Sequence, residues 1–183
     1  MASVAVRPVA RESRGDVETL FGRGGAANGC WCQYWLIGAG YHKHDRDQNK
    51  AALRRQIDGG SAGLLAWMDD VPAGWARFTP RSELGWLTAR FRDFAFRADA
   101  PWALPCFFIP RRHRGQGVMR SLISFAAGWA DERSVAVEAY PVDPAHPSAT
   151  RNRFTGVLPA FLEAGFVEVG RLAPDRAVVR LDP

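Results

Sequence analysis

A short basic loop rich in glycine has the residue types and spacing best suited to binding an anion. It reads Arg-Arg-His-Arg-Gly-Gln-Gly over residues 111–117, after the apolar run Leu104–Ile109 and before the helical apolar spacing of Val118–Ala130. A helix N-terminus offers unpaired N–H groups and about half a positive charge, and glycine lets backbone approach a ligand closely. The first turn of this helix holds no acid. The pattern therefore predicts a phosphate site built from backbone N–H groups and arginines.

Two common nucleotide-binding motifs do not fit this loop. It lacks the Gly-Lys-Ser/Thr of a Walker A motif, which argues against a magnesium-nucleotide site. It also lacks Gly-x-Gly-x-x-Gly directly after a strand, which argues against a dinucleotide-binding fold.

A cluster of cysteine and histidine residues, Cys30, Cys32, His42 and His44, raises the possibility of a zinc site. Structural zinc sites space their cysteines as Cys-x₂₋₄-Cys, whereas here a single residue separates them. Buried, reduced thiols and surface histidines are the favoured interpretation, and we expect no metal.

One carboxylate, Glu138, occupies a position suited to proton transfer. The alternating residues of Ser134–Tyr140 predict a strand that places Glu138 and Tyr140 on the same face. A half-buried glutamate beside a cleft has a raised pKa, which suits a base that deprotonates an ammonium group. An ion pair with one of the many arginines is an equally favoured reading. Asp143 and His146, on the following loop, are weaker candidates for the base.

Strands and helices alternate along the rest of the chain. We expect an edge strand over residues 4–8, a helix starting at Ser13 or Asp16 and ending near Phe21, and a helix over Asp47–Ile57. A hairpin joins strands Gly63–Asp69 and Ala73–Thr79, and a helix near Thr155–Ala164 precedes strands Phe166–Arg171 and Ala177–Leu181. This order predicts an α/β or α+β fold around a mixed sheet.

The composition is that of a globular domain. The 183 residues suit one domain, are 47% hydrophobic and 23% charged, and contain no apolar run long enough to span a bilayer. The N-terminal residues do not resemble a signal peptide, and the odd number of cysteines favours free thiols, so we expect a cytoplasmic protein. The net charge of +5 favours an anionic cofactor or partner, and Lys43 and Lys50 are the only lysines among 24 basic residues.

The glycine loop resembles motif A of the GNAT superfamily of acyl-CoA-dependent N-acyltransferases, Arg/Gln-x-x-Gly-x-Gly/Ala. Two registers fit: one begins at Arg112, and the other begins at Arg114 and places Met119 at the last position, where the family carries a smaller residue. We prefer the second, because it aligns the flanking strand and helix with the family pattern. The order of elements and the run Phe161-Leu-Glu-Ala-Gly-Phe166 extend the resemblance over most of the chain, residues 1–183 as a single domain. The Cys-Trp-Cys segment is similar to one in an uncharacterised bacterial subgroup of the superfamily.

This resemblance implies a mostly antiparallel central sheet flanked by helices, with acetyl-CoA as the acyl donor. Backbone N–H groups at Phe108 and Ile109 would bind the thioester oxygen as it becomes an oxyanion. The pyrophosphate would lie on Arg114, Gly115, Gln116, Gly117, Val118 and Met119.

The resemblance also suggests roles around the acceptor. Phe161 stands where the family commonly has a tyrosine that protonates the CoA thiolate, so we assign that role to Tyr140 and the base to Glu138. Trp31 and Trp35 lie in the segment that lines acceptor sites in this superfamily, and we expect them to contact the substrate.

The expected function is transfer of an acetyl group from acetyl-CoA to a primary amine of a small molecule. Two alternatives stay open: an aminoacyl-tRNA-dependent transferase of the same fold, and a degenerate domain that binds acyl-CoA without turnover. Neither a membrane nor a metal is implied, and the protein is expected to be a monomer or homodimer.

Overall fold

The computed structural model describes residues 3–26, 28–60, 62–150 and 153–183. Seven strands form one sheet in the order β1-β2-β3-β4-β5-β7-β6. The strands are β1 (Val4–Pro8), β2 (Gly63–Met68), β3 (Val71–Pro80), β4 (Trp102–Phe108), β5 (Val137–Ala139), β6 (Val167–Ala173) and β7 (Arg176–Leu181). All neighbouring strands are antiparallel except β4 and β5. The predicted fold class, a mixed and mostly antiparallel sheet flanked by helices, is confirmed.

Within the described ranges, six α-helices accompany the sheet. They are α1 (Arg14–Phe21), α2 (Tyr34–Ile37), α3 (Arg46–Asp58), α4 (Gly85–Arg90), α5 (Val118–Asp131) and α6 (Leu158–Glu163). Helix α3 begins with a capping box: Asp45 accepts from the Gln48 N–H at 2.7 Å, and Gln48 Oε1 accepts from the Asp45 N–H at 3.1 Å.

The sheet separates two hydrophobic clusters, because successive side chains of a strand point to opposite faces. On one face Ala76 packs with Leu122, Ile123 and other residues of α5. On the other face Trp75 packs with residues of α1 and α3, among them Leu20 and Leu53. The functional elements therefore divide between the faces: α5 on one, and the aromatic segment of residues 28–42 on the other.

The predicted hairpin is confirmed, and the expected edge strand lies at the end of the sheet as β1. Asp69 and Asp70 form the hairpin turn, both with positive φ (48° and 60°), which matches the twist of the flanking strands.

Strand β5 and helix α6 are shorter than predicted. Residue Ser134 has a φ of 51° and Val135 donates its N–H to the Ala130 carbonyl, so these residues complete the end of α5 instead of joining β5. Helix α6 begins only at Leu158, since Gly156 just before it has a φ of 80°.

Candidate functional site

The glycine loop turns the chain from the end of β4 into the first turn of α5. Gly115 and Gly117 have φ values of 74° and 82°, a region that strains residues with a side chain. A Cβ atom added at either position would meet no atom within 4 Å. Helix α5 begins at Val118, directly after Gly117, as the apolar spacing predicts.

Side chains of the loop fold back onto its own backbone. Arg114 Nε donates to the Ile109 carbonyl at 3.0 Å, and Gln116 Nε2 donates to the Arg112 carbonyl at 2.8 Å. Residues 114–117 are exposed, and the first turn of α5 carries no acid. An exposed helix N-terminus without a competing carboxylate, flanked by guanidinium groups, is suited to the phosphates of coenzyme A.

Strands β4 and β5 separate next to this loop. Their pairing ends at Leu104 and Ala139, although β4 continues to Phe108. In the gap, the Phe154 carbonyl accepts a hydrogen bond from the Phe107 N–H at 2.6 Å. Because the N–H groups of a strand alternate in direction, that of Ile109 is on the same side as Phe107 and that of Phe108 is on the β3 side. Of the two N–H groups expected to meet the thioester oxygen, only that of Ile109 therefore faces the gap.

An apolar cavity of about 210 Å³ opens behind the end of β4. Seven of its lining residues are aromatic, three are cysteines, and the remaining two are small: Phe21, Tyr34, Tyr41, Trp75, Phe107, Phe108, Phe154, Cys30, Cys32, Cys106, Ala26 and Asn28. No carboxylate or guanidinium group is found among these described lining residues. The polar side-chain groups of the lining residues are two phenols, one amide, three thiols and the Trp75 indole N–H.

Trp31 and Trp35, the residues expected to contact the acceptor, do not line this cavity. They are 4% and 3% exposed and pack into the core, where Trp35 contacts the rings of Tyr140 and Phe154. Trp31 instead borders a wider, shallow cleft of about 670 Å³ between α1 and α3. No lining residue of that cleft comes from β4 or the glycine loop, so the cleft shares no residue with the expected donor site.

Glu138 is also outside the set of cavity-lining residues. Its Oε1 atom accepts from Arg81 Nη1 at 2.8 Å and from Arg180 Nη1 at 3.0 Å, and the residue is 2% exposed. The second reading of this residue, an ion pair with arginine, is therefore the arrangement present. With two guanidinium groups on one oxygen and no place on the cavity wall, the carboxylate is held away from an acceptor amine, which argues against its assignment as the base.

Tyr140 belongs to the same buried network. Its hydroxyl donates to Glu138 Oε2 at 3.3 Å, and its ring is fully buried. Burial, followed by the negative charge of Glu138, holds the pKa of the Tyr140 phenol well above its usual range. A phenol with a raised pKa and its proton directed at Glu138 is unsuited to protonating CoA, so the expected acid role does not fit this geometry.

The other residues considered for acid or base roles make contacts within the protein. Phe161 is buried and packs edge-on against Phe107, with ring centroids 6.0 Å apart. Asp143 pairs with Arg171 at 3.0 Å, and the His146 ring contacts the Ser148 hydroxyl at 2.9 Å. Neither Asp143 nor His146 lines the cavity.

The residues that line the cavity were mostly missed by the sequence reasoning. Tyr34, Tyr41 and Phe154 come from two segments more than a hundred residues apart, and their rings meet only through packing. The aromatic richness of residues 28–42 was the available signal, but it does not distinguish core rings from lining rings.

Among the described residues, no group of three or more His, Cys, Asp or Glu side chains is placed to share a metal ion. None of the described helices is both long and apolar enough to cross a bilayer.

Comparisons with known proteins agree with this geometry. A sequence profile of the acetyltransferase (GNAT) family matches residues 30–151. No curated protein sequence matches the chain.

Several solved structures share the fold over nearly their whole length. A GNAT-family acetyltransferase from Listeria monocytogenes 4b F2365 is 19% identical with a TM-score of 0.60, covering 100% of this chain and 98% of that one. A protein from Corynebacterium glutamicum ATCC 13032, described as "histone acetyltransferase HPA2 and related acetyltransferase", is 17% identical with a TM-score of 0.59. The match covers 100% of this chain and 97% of that one. PaiA N-acetyltransferase from Thermoplasma acidophilum, solved with coenzyme A, is 9% identical with a TM-score of 0.55, covering 99% of both chains.

The profile match spans more than half of the chain and contains both the glycine loop and the gap between β4 and β5. The chain therefore belongs to the GNAT family of acetyltransferases.

Proposed function

We propose that this acetyltransferase moves the acetyl group of acetyl-CoA onto the primary amine of a small molecule with a largely apolar body. Family membership supports acyl transfer from coenzyme A in general. The observation that carries the finer proposal is the aromatic cavity of about 210 Å³, which adjoins the strand end where the thioester is expected. Because acetyl-CoA is a cytoplasmic metabolite, the proposed reaction belongs in the cytoplasm, in a monomer or homodimer.

The donor would bind along the glycine loop and the end of β4. Its pyrophosphate would meet the N–H groups of residues 115–119 and the side chain of Arg114. The Ile109 N–H would stabilise the oxyanion, since it is the group of that pair on the gap side of β4. This arrangement requires no metal.

The acceptor would bind in the cavity with its apolar part against the aromatic rings. A volume of about 210 Å³ and a lining without described carboxylates disfavour aminoglycosides and polyamines, whose several cationic groups need acidic partners. The hydroxyls of Tyr34 and Tyr41 are suited to orienting the amine. Burial raises the pKa of Tyr41, so this phenol stays protonated at neutral pH and can donate a hydrogen bond.

Release of the CoA thiol with a panel of amines tests this proposal. We expect arylalkylamines to be turned over fastest, apolar amino acids more slowly, and spermidine and kanamycin hardly at all. Gly117→Glu supplies the control that lacks the donor site. Turnover restricted to aminoglycosides would contradict the proposed acceptor class, and dependence on added tRNA would favour the aminoacyl-tRNA alternative. Binding of acetyl-CoA by calorimetry with no turnover on any amine would favour a non-catalytic domain.

A further inference from the structure

Strands β3 and β4 are antiparallel neighbours, yet the chain that joins them is long. The register pairs Pro80 with Trp102, and the Arg81 N–H donates to the Pro101 carbonyl at 2.9 Å. Residues 81–101, which we call the β3–β4 segment, therefore leave the sheet and return to it at one point. Hairpin loops usually have about two to five residues, and a longer ordered connection commonly serves a function.

The base of the β3–β4 segment is fixed by the buried ion-pair network. Arg81 donates from Nη1 to Glu138 at 2.8 Å. From Nη2 it donates to the carbonyls of Arg97 and Asp99, at 2.6 and 3.1 Å. Both ends of the segment are therefore anchored to β5, which carries Glu138.

The middle of the segment packs against the end of α2. Helix α4 lies there, with Leu84 just before it and Leu87 within it both fully buried. A Cβ atom added to Gly38, directly after α2, would lie 2.4 Å from Cδ2 of Trp86, so the indole of Trp86 lies on the Gly38 backbone. The two leucines anchor α4 in the core, and the half-buried Trp86 makes the contact with α2.

Gly38 connects this contact to the acceptor cavity. Its N–H donates to the Tyr34 carbonyl and closes the single turn of α2, and the turn that begins at Gly38 carries Tyr41. Tyr34 and Tyr41 both line the cavity, with ring centroids 6.3 Å apart. Because a helix of one turn is not stable by itself, the packing of its neighbours fixes where Tyr34 lies.

The two tyrosines are supported unequally. The Tyr41 carbonyl accepts a hydrogen bond from Asn49 Nδ2 of α3 at 2.9 Å, and Asn49 is buried. Tyr34 packs edge-on against the Phe154 ring, with centroids 5.5 Å apart, and belongs to the turn that Trp86 covers. Loss of the Trp86 indole should therefore displace Tyr34 more than Tyr41.

We propose that Trp86 is a positioning residue that sets acceptor specificity by holding the Tyr34 side of the cavity through α2. This role rests on the proposed function, since the cavity is where the acceptor amine is expected. Trp86 is not among the residues that line the cavity, so it acts through Gly38 and Tyr34 without touching the amine. The acceptors affected are those large enough to press on the Tyr34 ring, which are amines with an aromatic body.

Steady-state release of the CoA thiol, with an arylalkylamine as acceptor and saturating acetyl-CoA, tests this role. We expect Trp86→Ala to raise the KM for the amine about tenfold and to change kcat less than about threefold, because binding of the apolar body is lost while the reacting groups stay in place. For leucine, a shorter acceptor, kcat/KM should fall less than about threefold. Trp86→Phe keeps a ring over Gly38 and should return the KM to within about twofold of wild type. The Kd for acetyl-CoA, measured by calorimetry, should not change in any of these variants.

Trp129→Ala is the matched control. Trp129 is also a half-buried tryptophan, but it belongs to α5 on the opposite face of the sheet, where it packs against Phe78 and Trp102. It should lower the melting temperature about as much as Trp86→Ala does and leave the KM for the amine unchanged. A similar rise in KM in both variants would show that a general loss of stability is responsible, and would overturn the role of Trp86.

Amide hydrogen exchange follows the position of α2 without any turnover. We expect Trp86→Ala to speed exchange over residues 34–42 and to leave residues 118–131 unchanged, and Trp129→Ala to do the reverse. Trp86→Leu is a milder change that replaces the alanine variant if that variant does not fold. Unchanged exchange over residues 34–42 in a folded Trp86 variant would overturn the positioning role.

Failure of this inference is distinguishable from failure of the proposed function. Normal acetylation with the wild-type KM in every Trp86 variant would overturn the role of Trp86 and leave the proposed function standing. Absence of turnover by the wild-type protein on every amine of the panel would overturn both.

Discussion

Arg180 and Glu138 form an ion pair inside the protein, 42 residues apart in sequence, with Nη1 and Oε1 3.0 Å apart and both side chains about 2–3% exposed. Arg180 also contacts Asp99 and Asp182, and Glu138 also accepts from Arg81. This network joins β5, β7 and the segment before β4. The carboxylate that seemed suited to proton transfer therefore stabilises the centre of the sheet.

Glu138→Gln should destabilise the protein while leaving the chemistry nearly intact. The change removes the carboxylate that Arg81 and Arg180 share, while Arg180 keeps Asp99 and Asp182, so we expect the free energy of unfolding to fall by about 1–3 kcal/mol. Urea denaturation measures this loss. Glu132→Gln is the matched control: it removes an exposed ion pair with Arg133 and should change stability by no more than about 0.5 kcal/mol. Turnover lowered a hundredfold with unchanged stability would restore Glu138 as the base.

Gly117→Glu should abolish acetyl-CoA binding. The new carboxylate would stand at the positive end of α5, where the donor's phosphates are expected, and would repel them. Gly60→Glu is the matched control, because Gly60 is an exposed glycine with a φ of 83° and open space around it, in the turn between α3 and β2. It carries the same backbone strain and charge and should keep the wild-type Kd. Arg112→Ala should weaken binding only modestly, and calorimetry on the three variants decides the assignment.

Gly156→Ala should lower the stability of the protein, because Gly156 packs tightly beside the gap between β4 and β5. A Cβ atom there would lie 2.9 Å from the Phe161 ring and 3.3 Å from the Phe107 ring, at a φ of 80°. Overlap and strain together should cost about 1–3 kcal/mol. Gly165→Ala separates the two effects, because its φ is 90° but its nearest contact is an ordinary 3.8 Å. If both variants lower the melting temperature equally, crowding near Phe107 contributes nothing to the loss of stability.

Phe161→Tyr, which installs the residue the family commonly has, should not accelerate the reaction. Phe161 is fully buried between the rings of Phe107 and Phe166, so an added hydroxyl should cost about 1–3 kcal/mol of stability. A thiolate is a good leaving group, so release of CoA needs no acid at this position. A tenfold or larger gain in kcat would show instead that protonation of the leaving thiolate limits the enzyme.

Local patterns of the chain predicted most of the fold. The apolar spacing of Val118–Ala130 gave α5 within a residue at its C-terminal end, and the diaspartate turn gave the β2–β3 hairpin. Periodicity was a poor guide to the start of β5. The alternating residues of Ser134–Tyr140 predict a longer strand, but Ser134 has a positive φ and belongs to the end of α5.

The sequence by itself determined the order of the elements, the family, and the position of the anion-binding loop, since each depends on residues adjacent in the chain. Only the tertiary structure decided which side chains meet. It placed Glu138 and Tyr140 in a buried network, Trp31 and Trp35 in the core, and Cys32 beside the Trp75 indole. A charged residue within the apolar strand Ala73–Thr79, Arg77, was visible from the start, but its hydrogen-bond partner Gln56 comes from α3, 21 residues earlier. Which groups become neighbours, and hence which can ionise, follows from the packing of distant segments around the sheet.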